Sequence, residues 1–204
     1  MSKKPLIIFE GVEGSGKTYH INEIRKHLKR KKIAFLSIRE PGGTLNSEKI
    51  RRLILNKNSK FKKNTDLLLY LAARSENIDL LKKNFNKKVI LIDRFTDSTI
   101  AYQHYGLGVN LDLIKYINKF LLKGIKPNFT FLNIVNSKNM KLRLQDRKKL
   151  NRYDKFDLKF YDKVQKGFIK LAKKDKKHYK IINSNKSISE NKKVIIKQIN
   201  SLIR

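Results

Sequence analysis

A glycine-rich octapeptide near the start of the chain constrains its fold more than any other feature. Residues 11–18 fit the pattern G-x-x-x-x-G-K-[ST], and an apolar run at residues 6–9 comes directly before them. In such a loop the glycines let successive backbone N–H groups point at one spot, and the next helix adds the positive end of its dipole. The predicted triphosphate contacts are Gly11, Val12, Glu13, Gly14, Ser15, Gly16, Lys17 and Thr18.

Two side chains of this loop have predicted roles of their own. Lys17 can reach the outer phosphates, and the Thr18 hydroxyl can ligate Mg²⁺. The loop alone does not reveal the reaction, because GTPases, motor ATPases and small-molecule kinases share it.

Apolar, β-branched or aromatic runs alternate with longer stretches of helical spacing along the chain. This alternation predicts an α/β fold, a P-loop NTPase with a five-stranded parallel sheet flanked by helices on both faces. The predicted strands are residues 6–9, 33–38, 89–92, 129–134 and 179–182. The predicted helices are residues 17–31, 48–55, 66–83, 96–105, 111–122, 137–148, 156–174 and 189–202.

Length and composition favour one domain. The chain has 204 residues, of which 40% are hydrophobic, and no Gly/Ser-rich or Pro-rich linker divides it. We therefore expect a single P-loop domain over residues 1–204. The chain has no cysteine, which excludes disulfides and thiolate metal sites. The first predicted strand is too short for a signal peptide core or a membrane span, so we expect a soluble cytoplasmic protein.

The charge of the chain is strongly positive. Lys and Arg number 49 against 17 Asp and Glu, a formal net charge of +32. Such a balance is compatible with a polyanionic partner. The lysines, however, are spread along almost every segment, so we expect weak, salt-dependent binding to DNA or RNA and no specific nucleic-acid partner.

An apolar strand that ends in Asp93 and Arg94 forms the second motif. The carboxyl ends of parallel strands line the ligand crevice, so Asp93 is predicted to lie beside the phosphate loop and to hold Mg²⁺ through water. Arg94 can clamp a phosphate with two hydrogen bonds. A polar helix start follows, suited to a base and a sugar, and it contains Ser98, Thr99, Tyr102 and Gln103.

Two further motifs complete the predicted acceptor side. Residues 39–44 read Arg-Glu-Pro-Gly-Gly-Thr after the second strand, an irregular turn at another carboxyl end of the sheet. Tyr70 and Arg74 are four residues apart in a predicted helix and share one face, where an aromatic plane and a guanidinium could meet a flat base.

Together these four motifs resemble thymidylate kinases of the bacterial kind, over residues 5–175. The resemblance rests on GVEGSGKT, REPGGT, LAAR and IDRFTDSTIAYQ in this order. It implies a nucleoside monophosphate kinase-like fold with a short lid, and transfer of the ATP γ-phosphoryl group to dTMP with Mg²⁺, which would supply dTTP for DNA synthesis. It also implies a homodimer formed through helices near residues 66–83 and 96–105.

The resemblance assigns roles to single residues. Lys17 and Thr18 would hold ATP and Mg²⁺, with Asp93 nearby, and Arg94 would contact the dTMP phosphate or the transferred phosphoryl group. Tyr70 would stack on thymine, Arg74 would address its carbonyl oxygen, and Tyr102 would disfavour a 2′-hydroxyl. The implied dTMP contacts are Glu13, Arg39, Pro41, Arg51, Tyr70, Arg74, Arg94, Ser98, Thr99, Tyr102 and Gln103.

The chain departs from the family pattern in two places. Phe95 follows Asp-Arg where Tyr or His is common, and Asn151-Arg152 stands where the family has Asp-Arg. The phosphate loop itself contains no arginine. Phosphoryl transfer needs a cation near the transferred group, so we predict that Arg147 or Arg152 closes over ATP from a basic lid at residues 143–159.

Two other functions fit parts of the sequence. One is a kinase of the same fold that acts on another nucleoside or nucleotide. The other is a nucleic-acid-binding P-loop ATPase, although no Asp-Glu pair follows Ile92 and no Asn-Lys-x-Asp motif is present.

Overall fold

A computed structural model describes residues 4–145 and 151–204 of the chain. Its five strands are β1 (Leu6–Glu10), β2 (Phe35–Arg39), β3 (Val89–Asp93), β4 (Phe129–Ile134) and β5 (Tyr179–Asn183). They form one parallel sheet in the order β2-β3-β1-β4-β5. The predicted α/β fold with a five-stranded parallel sheet is therefore confirmed, with strand bounds that match the prediction for β4 and differ by at most two residues elsewhere.

Helices connect the strands. The α-helices are α1 (Lys17–Arg30), α2 (Leu45–Leu55), α3 (Lys63–Ser75), α4 (Ile78–Asn84), α5 (Thr96–Thr99), α6 (Leu111–Leu122), α7 (Ser137–Gln145), α8 (Leu158–Lys174) and α9 (Ile188–Leu202). A π-helix spans Ile100–Gly106, and two 3₁₀ turns span Arg152–Lys155 and Lys176–His178. Within the described residues, no helix is both long and apolar enough to cross a bilayer.

Alternate residues of the central strands supply two apolar layers. Ile7 and Phe9 of β1 pack with residues of α1 and α9 on one face of the sheet. Leu6 and Ile8 point to the other face, where Leu81 of α4 contributes to the core. This alternation is the period-two pattern of a strand that is buried on both sides.

The helix predicted at residues 66–83 is two helices in the structure. It begins earlier, at Lys63, and is interrupted between Ser75 and Ile78. The break has a tertiary cause, because the fully buried Asn77 side chain donates a hydrogen bond of 2.8 Å to the carbonyl oxygen of Gly42. Asn77, between α3 and α4, thus connects these helices to the loop after β2 by a hydrogen bond.

The helix predicted at residues 96–105 is also wrong in type over most of its length. Only α5 is α-helical, and the chain then widens into the π-helix. Gly106 lies so close to α8 that a Cβ atom there would be 2.6 Å from a ring carbon of Phe160. π-Helical turns are frequent at functional sites, and this one contains the buried side chains of Tyr102 and Gln103.

Candidate active site

The phosphate loop leads from β1 into α1. Gly11 has φ 139°, and a Cβ atom there would lie 2.2 Å from the Asn133 carbonyl oxygen, so only glycine fits. Gly14 and Gly16 also have positive φ. Val12 is buried in the apolar core, and its backbone carbonyl faces the loop interior.

Lys17 lies inside the curve of this loop. Its ammonium group donates hydrogen bonds to the carbonyl oxygens of Gly11 at 2.8 Å and Val12 at 3.1 Å. Burial and the nearby Arg94 guanidinium lower the pKa of Lys17 to about 8. An anionic ligand at the loop would relieve both effects.

Asp93 ends β3 directly beside β1, as predicted. Its Oδ1 atom is buried and has no hydrogen-bond partner within the described residues. Burying a carboxylate oxygen that has no hydrogen-bond donor costs free energy unless a cation or another donor binds it. Together with the Thr18 hydroxyl at the same cavity, it is a suitable oxygen ligand for Mg²⁺.

Arg94 occupies the centre of the site in a left-handed backbone conformation, with φ 68°. Its guanidinium donates to Glu13 at 2.8 Å, to the Gly11 carbonyl at 2.9 Å and to Ser98 at 3.3 Å. The Tyr102 hydroxyl donates to the other Glu13 oxygen. Burial alone would raise the pKa of Glu13, but Arg94 and Lys17 lower it below its ordinary value.

Glu10, which has no predicted role, supports the turn that carries Arg94. This fully buried carboxylate accepts hydrogen bonds from the Phe95 N–H at 2.7 Å and from the Ser98 hydroxyl at 2.5 Å. Burial and the neighbouring Asp97 raise its pKa to about 7. An acidic last residue in a buried parallel strand was the available signal, because that position opens onto the ligand edge of the sheet.

Arg74 lies at the far end of the site. It is buried, and it donates to Glu40 at 2.7 Å, to Asn118 at 2.5 Å and to Thr99 at 3.1 Å. These three bonds fix the plane of the guanidinium, which has five N–H groups and so keeps donors for a ligand. Glu40, the partner in this buried ion pair, was missed by the sequence analysis.

Gln103 faces the same end of the site. Its amide nitrogen donates to Asp66 at 3.4 Å. Its carbonyl oxygen, Oε1, is buried and lacks a partner within the described part of the chain. Gln103 therefore presents a free acceptor in the cavity that Arg74 also lines.

Basic residues surround the entrance on the β2 side. Arg51 donates to the Pro41 carbonyl at 2.6 Å, and Arg39 pairs with Glu48 at 3.2 Å. Burial and the repulsion of Arg39 lower the pKa of Arg51. Like charges held this close favour an anionic ligand.

A cavity of about 440 Å³ joins these groups. It runs from the phosphate loop past Arg94 to Tyr70 and Arg74. The predicted residues that line it are Glu13, Gly14, Ser15, Gly16, Lys17, Thr18, Arg39, Pro41, Arg51, Tyr70, Arg74, Asp93, Arg94, Ser98, Thr99, Tyr102 and Gln103. Gly11 and Val12, also predicted as contacts, do not line the cavity, and their carbonyl oxygens accept hydrogen bonds from Lys17.

Of the two predicted lid arginines, the structure describes Arg152. Arg147 lies outside the described residues. Arg152 is outside the cavity lining, because its guanidinium pairs with Asp66 of α3. Its neighbours Asn151 and Tyr153 do line the cavity, which the sequence did not predict.

Arg143 contacts the phosphate loop from α7. It donates to the carbonyl oxygens of Gly14 at 2.9 Å and Ser184 at 2.8 Å. Arg143 is the first residue of the basic segment at residues 143–159 and has no predicted role of its own.

Comparison with known proteins is consistent with this site. The thymidylate kinase family model matches residues 9–195. The chain is 37% identical over 193 residues to the thymidylate kinase of Sulfurihydrogenibium sp. (strain YO3AOP1). The matched region covers 93% of this chain and 94% of that protein. It is 38% identical over 198 residues to the thymidylate kinase of Clostridium novyi (strain NT), at 93% and 95% coverage.

A solved structure is also similar. The crystal structure of thymidylate kinase from Ehrlichia chaffeensis superimposes with a TM-score of 0.78 at 31% sequence identity. The match covers 96% of this chain and 98% of that one.

Proposed function

Because this chain belongs to the thymidylate kinase family, we propose that its central cavity holds ATP and dTMP end to end, with the residues described above in defined roles. The enzyme phosphorylates dTMP, and ATP is the phosphoryl donor. The observation that carries the proposed arrangement is the continuity of the cavity from the phosphate loop to Arg74.

On the donor side, the loop N–H groups and Lys17 bind the ATP phosphates. The Lys17 ammonium, now held by loop carbonyls, turns toward the phosphate oxygens. Thr18 and Asp93 would hold Mg²⁺, and the orphaned Asp93 oxygen supports this role. When bound, the ion neutralises charge on the phosphates.

On the acceptor side, Arg39, Arg51 and Arg94 bind the 5′-phosphate of dTMP. The support is that burial and repulsion from Arg39 and Arg94 lower the pKa of Arg51, and a bound dianion would offset this repulsion. Arg94 is already aligned by Glu13 and the Gly11 carbonyl, so it needs little reorganisation when the phosphate arrives.

The base is recognised at the far end of the cavity. Thymine presents an acceptor oxygen at C4 and a donor N–H at N3. Arg74 has spare donors for the oxygen, and Gln103 Oε1 is an unpaired acceptor for the N–H. Cytosine reverses both groups, so this pair discriminates against dCMP, while Tyr70 contributes a flat apolar surface.

The sugar lies between these two ends. Glu13 and Tyr102, which bond to each other, and Ser98 and Thr99 surround this part of the cavity with polar groups. The buried Tyr102 side chain, bonded to Glu13, would disfavour a 2′-hydroxyl.

A lid arginine completes the proposed mechanism. The phosphate loop has no arginine, and the charge that develops on the transferred group needs one. We assign this role to Arg147 or Arg152 in the basic lid at residues 143–159, and Arg152 would have to leave its ion pair with Asp66 to act. Replacing the acting residue by Ala is expected to lower kcat on the order of a thousandfold; nearly full kcat in both Arg147→Ala and Arg152→Ala would refute the assignment.

We also propose a homodimer formed through α3 and α6. Leu113, Tyr116 and Phe120 form one exposed apolar face on α6, and Leu68 of α3 is exposed beside it. Tyr102 and Gln103, in the second helix that the resemblance indicated, are buried within the subunit.

We place the protein in the cytoplasm, with no specific nucleic-acid or membrane partner.

Measurement of ADP release tests the function against the nucleic-acid alternative. Purified protein is incubated with Mg²⁺ and ATP, either with dTMP or with single- or double-stranded DNA. We expect rapid ADP release only with dTMP, and a matching amount of dTDP. ADP release that depends on DNA and not on dTMP would contradict the proposal.

A further inference from the structure

A buried carboxylate outside the phosphate and metal sites connects three parts of the acceptor cavity. Asp66 lies in the first turn of α3 and is 2% exposed. It accepts hydrogen bonds from the Tyr153 hydroxyl at 3.0 Å, from the Gln103 amide at 3.4 Å, and from Arg152, which also forms an ion pair with it. These partners come from the π-helix and from the 3₁₀ turn Arg152–Lys155.

We propose that Asp66 is a positioning residue that sets the base specificity of the enzyme by fixing the orientation of the Gln103 amide. The inference rests on the proposed contact between Gln103 and thymine. A carboxylate paired with an arginine only accepts hydrogen bonds, so the group that Gln103 turns toward it must be the NH₂. Oε1 then faces the opposite way and can accept only from a donor such as the thymine N3–H.

The geometry favours this role over simple helix packing. The Gln103 amide has no other fixed partner within the described residues, because its Oε1 is unpaired. Without Asp66 the amide can rotate by 180° and offer its NH₂ to the base, which suits the N3 acceptor of cytosine. Asp66 also holds Tyr153, whose ring packs edge to face against Tyr70 at 6.3 Å, on the wall where the base lies.

Substitution of Asp66 by Asn provides the test. An amide can donate as well as accept, so it no longer dictates how Gln103 is turned. We expect D66N to lower the ratio of kcat/KM for dTMP to that for dCMP by on the order of tenfold. The reason is that about one favourable hydrogen bond between Gln103 and thymine is lost. The loss should lie mainly in KM for dTMP, and D66E, which keeps the acceptor-only carboxylate, should retain most of the ratio.

Controls separate positioning from stability. A purely structural role would lower activity toward both acceptors alike and leave the ratio unchanged. Asp79→Asn makes the same change at an exposed position of α4 and should have no effect. If D66N folds poorly because Arg152 loses its partner, D66N/R152Q removes both charges and should show the same loss of ratio relative to R152Q alone, which reports any fall in kcat from the loss of Arg152 itself.

Gln103→Ala separates the proposed thymine contact of Gln103 from the positioning role of Asp66. If Q103A and D66N both lower the ratio, the inference stands. If Q103A lowers it and D66N, or D66N/R152Q, leaves it at the wild-type value, Asp66 does not position Gln103. If Q103A leaves the ratio unchanged, the proposed thymine contact is wrong, and the inference about Asp66 fails with it.

Discussion

At the scale of single residues, buried or half-buried carboxylates fix the charged groups of the site before any ligand binds. Glu13 holds Arg94, Glu40 holds Arg74, and Glu10 holds the backbone of the turn that carries Arg94. Removing one partner of a buried pair leaves an uncompensated charge, which is strongly destabilising. Such preorganisation suits phosphoryl transfer, where positioning and charge neutralisation dominate.

Glu10 gives the stability of the enzyme a specific pH dependence. Its pKa in the fold is about 7, above the ordinary value of 4.5, because burial disfavours the charged form. The folded state therefore binds this proton more tightly, and the resulting stability is full below about pH 4.5 and is lost as pH rises through 7.

Glu10→Gln, which cannot ionise, should remove this loss. Between pH 5 and pH 8 we expect the stability of the variant to rise relative to wild type by on the order of 2 kcal/mol. Thermal unfolding of both proteins across that pH range measures it. Parallel Tm profiles would show that the Glu10 proton does not contribute.

At the scale of elements, the π-helix and α8 determine where Tyr102 and Gln103 lie. Gly106 and Gly167 allow the two helices to approach, because a Cβ atom at Gly167 would lie 2.5 Å from Cδ2 of Tyr105. α8 itself starts sharply, with Asp157 accepting from the Phe160 N–H at 2.8 Å. The acceptor wall thus depends on close helix packing beyond the residues that line it.

Gly167→Ala tests this packing. In an isolated helix Ala is more favourable than Gly by about 1 kcal/mol. Here the added methyl group overlaps the Tyr105 ring, so we expect destabilisation of about 1–3 kcal/mol. Differential scanning calorimetry should show a lower Tm, with the exposed Lys166→Ala in the same helix as the control. A higher Tm for Gly167→Ala would contradict the close contact.

At the scale of the whole molecule, the sequence predicted the sheet well and the polar connections poorly. Strand β3 is a continuous apolar run that ends in Asp93, so its pattern is local. The break at Asn77 and the role of Asp66 depend on partners far away in the sequence. The phosphate loop and Arg94 were predictable because their chemistry requires a fixed spacing along the chain.

The proposed dimer is a further property at this scale. Tyr116 and Phe120 are 70% and 63% exposed, an unusual position for two large aromatic side chains on one face. Tyr116→Glu/Phe120→Glu should convert a particle of twice 24.0 kDa into one of 24.0 kDa in light scattering after size exclusion. Lys115→Glu, off this face of α6, should leave the mass unchanged. A monomeric wild-type protein would contradict the dimer.

We propose that one cavity brings ATP to the 5′-phosphate of dTMP and contacts the base at its far end. Initial rates of phosphoryl transfer from ATP to dTMP, dUMP, dCMP, AMP and thymidine test it most directly. We predict the highest kcat/KM for dTMP, lower values for dUMP, which lacks only the methyl group, and very low values for the other three acceptors. A clear preference for any acceptor other than dTMP would contradict the account.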